Sequence, residues 1–84
     1  MSGDIRLHPH CRDRLAERGA TEEEVIATVQ EGEKFSAKFG RAGFRRNFQF
    51  GGEWRGKEFA TKQVEAIAVE ERGWLVITVI VRFF

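Results

Sequence analysis

The sequence predicts an α+β domain in which two N-terminal helices pack on one face of a small, mainly antiparallel β-sheet. Two observations lead to this prediction. Apolar residues recur at helical spacing before residue 32, and the hydrophobic period changes to two from residue 35 onward. A chain of 84 residues can bury one core only, so we expect residues 1–84 to form a single domain.

The first predicted helix begins at Pro9 and ends at Gly19. Proline suits the opening turn because its φ is already close to the helical value, and glycine suits the helix end because it tolerates a positive φ. Leu7, Cys11 and Leu15 recur every four residues, which predicts a buried stripe along this helix.

The second predicted helix begins after Thr21 and ends near Gly32. Thr21 is a good N-cap, and Glu24 stands three residues later, which is the spacing of a capping box. The apolar side of the helix is formed by Val25, Ile26 and Val29. The two helices therefore form a compact hairpin in front of the sheet.

Phenylalanine alternates with polar residues from residue 44 to residue 50, which is the period of a strand with one buried face. Gly51 and Gly52 predict a turn directly after this strand. The strand is expected to lie at an exposed edge of the sheet. The domain could therefore exist as a monomer or pair with a second copy as a homodimer.

Residues 62–71 and 74–83 predict a hairpin with a two-residue turn at Arg72-Gly73. In this register Ile67 lies opposite Thr78, on the same face as Glu65. A Thr in a strand is usually only a good β-former, but here it interrupts an apolar run. The other face is continuously apolar and should pack against the helices through Leu75, Ile77, Val79, Val81 and Phe83.

The sequence predicts a soluble cytoplasmic protein that does not enter a membrane. Residues 1–6 lack the apolar stretch of a secretory leader, and the most apolar run, residues 74–81, is too short to span a bilayer. Cys11 is the only cysteine, so no internal disulfide can form, which suits a reducing compartment.

Charge is segregated along the chain although the net charge is only +1. Residues 1–33 contain eight acidic and four basic side chains, whereas residues 34–62 contain eight basic and two acidic ones. A basic segment of this kind attracts polyanions. We interpret it as a nucleic-acid-binding surface made by Lys34, Lys38, Arg41, Arg45, Arg46, Lys57 and Lys62.

Aromatic side chains are interleaved with these basic residues between Lys34 and Phe59. Single-stranded RNA is commonly bound by aromatic stacking in a cationic groove, so RNA is the expected ligand. The competing explanation is that most of these Phe residues form the core of the sheet. An acidic, antitoxin-like protein is the alternative partner for the same surface.

On the first helix, His10, Arg14 and Arg18 recur every four residues and form a row beside the buried stripe. Arginine binds phosphate oxygens through paired N–H donors, and histidine titrates near neutral pH. The row therefore fits a site that holds a phosphate and moves a proton. The alternative interpretation is a solvated basic face of the helix.

A metal site or another cofactor is not expected. His8, His10 and Cys11 crowd together without a second group of soft ligands elsewhere in the chain. Cys11 belongs to the predicted buried stripe, which also makes it a poor nucleophile.

Several short motifs occur together between roughly residues 8 and 82. They are His10 with Arg14, the Arg18-Gly19 helix end, the Thr21-Glu22-Glu23-Glu24-Val25 segment, Gly56-Lys57 and the Ile77-Thr78-Val79 strand. This set resembles domain of unknown function 4258, a family of small bacterial proteins. The family is distantly similar to RelE-type toxins and other compact ribonucleases, which place helices before an antiparallel sheet.

The residues that match the polar pattern of the family are His10, Arg14, Arg18 and Thr78. The resemblance implies that they share a catalytic site for metal-independent RNA cleavage. The chain departs from RelE-type toxins because it has no Tyr. A general base would then be His10 or Glu65, with Lys57 or Lys62 as helpers. The alternative is a module that binds nucleic acid or an acidic protein without catalysis, and a purely structural accessory protein stays a third hypothesis.

Overall fold

A computed structural model describes residues 4–84, so residues 1–3 of the predicted domain lie outside the described residues. The chain forms one five-stranded sheet in the order β1-β5-β4-β3-β2, antiparallel except where β1 runs parallel to β5. The predicted α+β fold is confirmed. Its elements are β1 (Asp4–Leu7), α1 (Pro9–Arg18), α2 (Glu22–Glu31), β2 (Glu33–Ser36), a 3₁₀ turn (Lys38–Gly40), β3 (Ala42–Trp54), β4 (Lys57–Glu70) and β5 (Gly73–Phe83).

Both helices begin and end where the sequence predicts. Gly19 follows α1 with a φ of 82°, which is the left-handed conformation expected of a C-cap. The Thr21 hydroxyl accepts from the Glu24 amide, and the Glu24 carboxylate accepts from the Thr21 amide, so the capping box is present. The His8 imidazole caps α1 by accepting a hydrogen bond from the backbone N–H of His10.

The turn between β4 and β5 lies where predicted, but it contains one more residue, because Glu70 is paired with Trp74. Further along β5, a β-bulge leaves Ile77 without a partner on β4. The pairing beyond it is again the predicted one, with Ile67 opposite Thr78. Between the turn and the bulge the pairing is shifted by one residue, so Val76 takes the place opposite Ala68 that the sequence predicts for Ile77 and is fully buried. The predicted packing of Leu75 and Ile77 against the helices is wrong, since neither belongs to the core.

The predicted turn at Gly51 and Gly52 is also wrong. β3 continues through these residues to Trp54, and a β-bulge between Gln49 and Gly52 takes up the positive φ of Gly51. β2 pairs with β3 only over Ala42–Arg45. The outer edge of β3 beyond Arg45 has no partner strand among the described residues, in agreement with the exposed edge predicted for most of residues 44–50.

The helices pack on one face of the sheet, and the core lies between the two layers. The core side chains on β4 are Val64, Ala66 and Ala68, all fully buried. Side chains alternate along a strand, so their neighbours Glu65 and Ile67 point to the opposite face. We call this opposite face, which no helix of residues 4–84 covers, the helix-free face. Its other central residues are Gly43, Arg45, Asn47, Gln63, Thr78, Ile80 and Arg82.

Candidate functional site

The helix-free face carries a groove of about 460 Å³ between the sheet and the connection from β2 to β3. We call it the sheet groove. Glu65, Ile67, Thr78 and Ile80 form its floor, and residues 35–39 with Arg41 form its wall. The connection folds back on itself because the Ala37 N–H donates to the Arg41 carbonyl at 2.9 Å. The groove thus combines apolar surface, cationic side chains and one carboxylate.

Phe39 lies at the tip of this connection and is 85% exposed. Its φ of 61° is a left-handed conformation that bulky residues rarely adopt, and such strain is characteristic of functional sites. The Arg41 guanidinium lies 5.5 Å from the centre of the ring, and Lys38 precedes Phe39 in the chain. This large apolar side chain is therefore presented to solvent between two cations.

Phe35 holds the connection against the sheet. Its ring occupies the space above Gly43, where an added Cβ atom would lie 2.3 Å from two ring carbons. The Arg45 guanidinium covers the ring at 4.6 Å from its centre. Only a glycine at position 43 leaves room for this packing, so Gly43 sets the position of one wall of the groove.

Glu65 is the carboxylate on the groove floor and is only 8% exposed. It accepts hydrogen bonds from Arg45 Nε at 3.2 Å and from Arg82 Nη1 at 3.3 Å. Arg45 also reaches Glu33 at 3.8 Å, and Arg82 lies 3.5 Å from the amide oxygen of Gln63. The central part of the helix-free face is therefore a connected network of charges in which Glu65 is held by two guanidinium groups.

The predicted catalytic residues do not all meet at one place. His10 and Arg14 are exposed on α1, in the helix layer, and Arg14 pairs with Glu17 at 3.8 Å. Thr78 is half-buried and lies in the sheet groove, on the other side of the sheet. Because a helix rises about 1.5 Å per residue, His10 lies roughly 12 Å along the axis from Arg18.

Arg18 and Thr78 do come together in a second depression of about 430 Å³ along the outer edge of β5. Arg18 donates to the carbonyl of Val79 there, and Arg55 donates to the carbonyl of Glu17 at 2.7 Å. Both guanidinium groups thus satisfy backbone carbonyls. Neither His10 nor Arg14 lines this depression.

The seven predicted nucleic-acid-binding residues have different surroundings. Lys38 and Arg41 line the sheet groove, Lys57 is exposed where β4 begins, and the Lys34 ammonium lies 5.0 Å above the Trp74 ring. Carboxylates neutralise two of the others: Arg45 pairs with Glu65, and Arg46 pairs with Glu31 at 2.9 Å.

Lys62 is buried rather than displayed on the surface. Its residue is 7% exposed, and its ammonium group donates to the Gly19 carbonyl at 2.9 Å and to Glu24 Oε1 at 2.8 Å. Lys62 therefore joins the end of α1 and the start of α2 to the sheet. A buried ammonium group with these partners cannot also contact a phosphate in solution, so we leave Lys62 out of the proposed binding surface.

Within residues 4–84, no group of three or more His, Cys, Asp and Glu side chains could hold a metal ion. None of the helices in this range is long and apolar enough to cross a membrane. Cys11 is buried, and burial raises the pKa of its thiol although Arg18 acts in the opposite direction. A raised pKa leaves less thiolate at neutral pH, which makes Cys11 a weak nucleophile.

The scan against protein-family models gives no match, and neither a curated protein nor a solved structure shows significant similarity to the chain. The relationship to domain of unknown function 4258 therefore stays a prediction from the sequence motifs. The candidate site depends on geometry alone.

Sequence reasoning missed the special position of Phe39 and the part played by Arg82. A signal for Phe39 was available, because it stands in the Lys38-Phe39-Gly40-Arg41 segment, where a glycine marks a turn and cations flank the ring. The predicted pairing of β4 with β5 already puts Arg82 on the same face as Glu65, but no local motif marks its hydrogen bond to the Glu65 carboxylate.

Proposed function

We propose that this domain binds single-stranded RNA and places one nucleotide in the sheet groove. The observation that carries the proposal is the exposed Phe39 ring between Lys38 and Arg41. Proteins bind single strands by stacking bases on aromatic rings while cations hold the phosphates. The remaining groove surface, made by Ile67 and Ile80, provides apolar contact for a sugar or base edge.

A single strand suits this site better than a duplex. A base can stack on Phe39 only when it is turned out of a helix, and stacking alone does not require a particular base. The 2′-hydroxyl of RNA can be recognised by a hydrogen-bonding group, and Thr78 offers a hydroxyl on the groove floor. RNA is therefore proposed in preference to DNA.

Replacing Phe39 with alanine is expected to weaken binding of a fluorescent single-stranded RNA about tenfold, the scale of one lost stacking contact. The double variant K38Q/R41Q should bind more weakly and show a smaller dependence of affinity on salt, because fewer counterions are released. Fluorescence anisotropy at several salt concentrations measures both effects. The control is R12Q, which removes a cation on the helix layer that pairs with Glu22 at 2.8 Å.

Two results would contradict the proposal. The first is an F39A affinity equal to that of the unchanged protein. The second is equal weakening by R12Q and by the groove variants, which would indicate attraction by net charge alone. If poly-glutamate binds as tightly as RNA and F39A does not affect it, the surface instead fits an acidic protein partner.

A second candidate function, RNA cleavage, is favoured by the contacts of Glu65. Its carboxylate could take the proton of a ribose 2′-hydroxyl, so that the 2′-oxygen bonds to the adjacent phosphorus and the bond from phosphorus to the 5′-oxygen breaks. The 5′-oxygen would take a proton from water. Arg45 and Arg82, which both contact Glu65, would stabilise the charge on the phosphorane.

If the domain cleaves RNA, E65Q should lower the rate by roughly 100-fold or more, the scale of a lost general base. H10A should leave the rate unchanged, because His10 is exposed in the helix layer and outside the sheet groove. Gel assays of RNA with purified variants measure this. If H10A lowers the rate and E65Q does not, the reaction takes place at the His10 row on α1. If the RNA stays intact with the unchanged protein and with every variant, the domain binds RNA without cleaving it.

A further inference from the structure

A second groove, of about 440 Å³, adjoins the sheet groove at the end of the sheet near the β4–β5 turn. We call it the end groove. The two grooves share Phe35, Ser36 and Arg41 in their linings, so the connection from β2 to β3 separates them by only one thickness of chain. By strand alternation Ala42, Glu70 and Trp74 lie on the helix side of the sheet, so a flexible polymer passes from one groove to the other around this connection, beside Arg41.

The end groove repeats the chemistry of the sheet groove, with cations beside an aromatic ring. Lys34 lies 5.0 Å above the Trp74 ring, and Arg41 supplies a second positive charge. The groove also contains Glu70, which is exposed and belongs to no ion pair in residues 4–84. Each of these groups sits within one nucleotide-sized depression.

We propose that the end groove holds the nucleotide adjacent to the one in the sheet groove, and that Arg41 binds the phosphate between them. This inference rests on the proposed binding of single-stranded RNA. Arg41 is placed for this contact because it lines both grooves, and its guanidinium lies against Phe39, where the first base stacks. A bridging phosphate is the one group of a dinucleotide that must pass this residue.

Glu70 indicates which bases the end groove accepts. A carboxylate repels phosphate, so the backbone should lie on the side of Lys34 and Arg41, and the base edge should face Glu70. Carboxylates in nucleic-acid interfaces accept hydrogen bonds from exocyclic amino groups such as N4 of cytosine. Cytidine, which has this donor, should bind better than uridine, which has a carbonyl oxygen in its place.

The test measures the affinity of cytidine and of uridine oligonucleotides of one to six nucleotides, using isothermal titration with the full chain and the variants K34Q and E70Q. The affinity should increase about tenfold from one nucleotide to two, since a phosphate contact to Arg41 and the contacts of the second nucleotide with Lys34 and Glu70 are added. K34Q should remove several-fold of this gain and weaken mononucleotide binding less, because Lys34 lines the end groove and not the sheet groove. E70Q should abolish the preference for cytidine over uridine. R12Q serves as the matched control.

Equal affinity for one and two nucleotides would overturn the inference, as would a K34Q effect that is the same at every length. In either case a persisting F39A effect would keep the proposed function intact. Failure of every oligonucleotide to bind would overturn the proposed function itself. Thermal unfolding of each variant checks that the fold is unchanged, which is expected because Lys34 and Glu70 are both exposed.

Discussion

Replacing Lys62 with methionine is expected to lower the free energy of unfolding by about 3 kcal/mol, the scale measured when one partner of a buried ion pair is removed. Methionine keeps most of the packing volume, so the loss reports the charge and its hydrogen bonds. The Gly19 carbonyl loses its donor, and Glu24 Oε1 keeps only the Thr21 N–H, in a region where Lys62 is nearly inaccessible to water. Such groups are costly because water cannot replace the missing partner.

Urea or thermal unfolding followed by circular dichroism measures this effect, and for a domain of this size about 3 kcal/mol corresponds to a fall in Tm of more than 10 °C. The control is K57M, which removes the same charge from an exposed position at the start of β4 and should change stability by less than about 0.5 kcal/mol. If K62M and K57M are equally stable, Lys62 does not join the helices to the sheet.

Replacing Gly43 with alanine is expected to destabilise the domain by about 2 kcal/mol, which is in the range for overpacking a filled site, and also to weaken RNA binding. The new methyl group would lie 2.3 Å from the Phe35 ring, so the ring must move away. Phe35 forms part of the wall of both grooves. The sign of the change in stability shows whether the methyl group strikes the Phe35 ring, because a Gly→Ala change that fits its site usually stabilises a protein by reducing the entropy of the unfolded chain.

The matched control is G52A on the same strand, where the nearest atom to the added Cβ is 3.5 Å away, an ordinary contact distance. We expect no loss of stability there. Adding F35A to G43A should recover part of the destabilisation, because it removes the ring that the methyl group strikes, yet RNA binding should stay weak. A neutral G43A variant would show that the β2–β3 connection is not held in place by Phe35.

The features predicted correctly from sequence are those determined by neighbouring residues. Helix ends are marked by Pro9, Gly19 and the Thr21–Glu24 pair, whose hydrogen bonds lie within one or two turns. The β4–β5 turn also lies at its predicted place because Arg72 and Gly73 both adopt positive φ. Local chemistry was sufficient in each case.

The features missed depend on contacts between distant residues. The bulge at Ile77 results from a turn that is one residue longer than the pattern indicates, and the apolar run from Trp74 to Val81 fits either register equally well. β1 has only four residues and pairs with a strand almost seventy positions later. Neither feature has a signal in its own segment.

The same distinction applies to the candidate site. Sequence spacing groups the basic residues between positions 34 and 62, but it cannot separate Lys62, whose charge is buried, from Lys38, whose charge is exposed. The row on α1 is predicted from helical spacing, but the structure places only Arg18 of this row beside Thr78, while His10 and Arg14 lie apart in the helix layer. Which charges share a surface is decided by strand pairing, which a single sequence does not reveal.

The parallel pairing of β1 with β5 also has a consequence for the order of folding. Gly73 leaves space for the Asp4 backbone, so these two strands dock closely, but they enclose nearly the whole described chain between them. Closing so long a loop costs entropy that only an assembled sheet can offset. We therefore infer that β1 docks last, although the ribosome makes it before the other strands. Until β5 has been synthesised, β1 has no strand to pair with. Its two apolar residues, Ile5 and Leu7, therefore stay exposed to solvent longer than the other core residues.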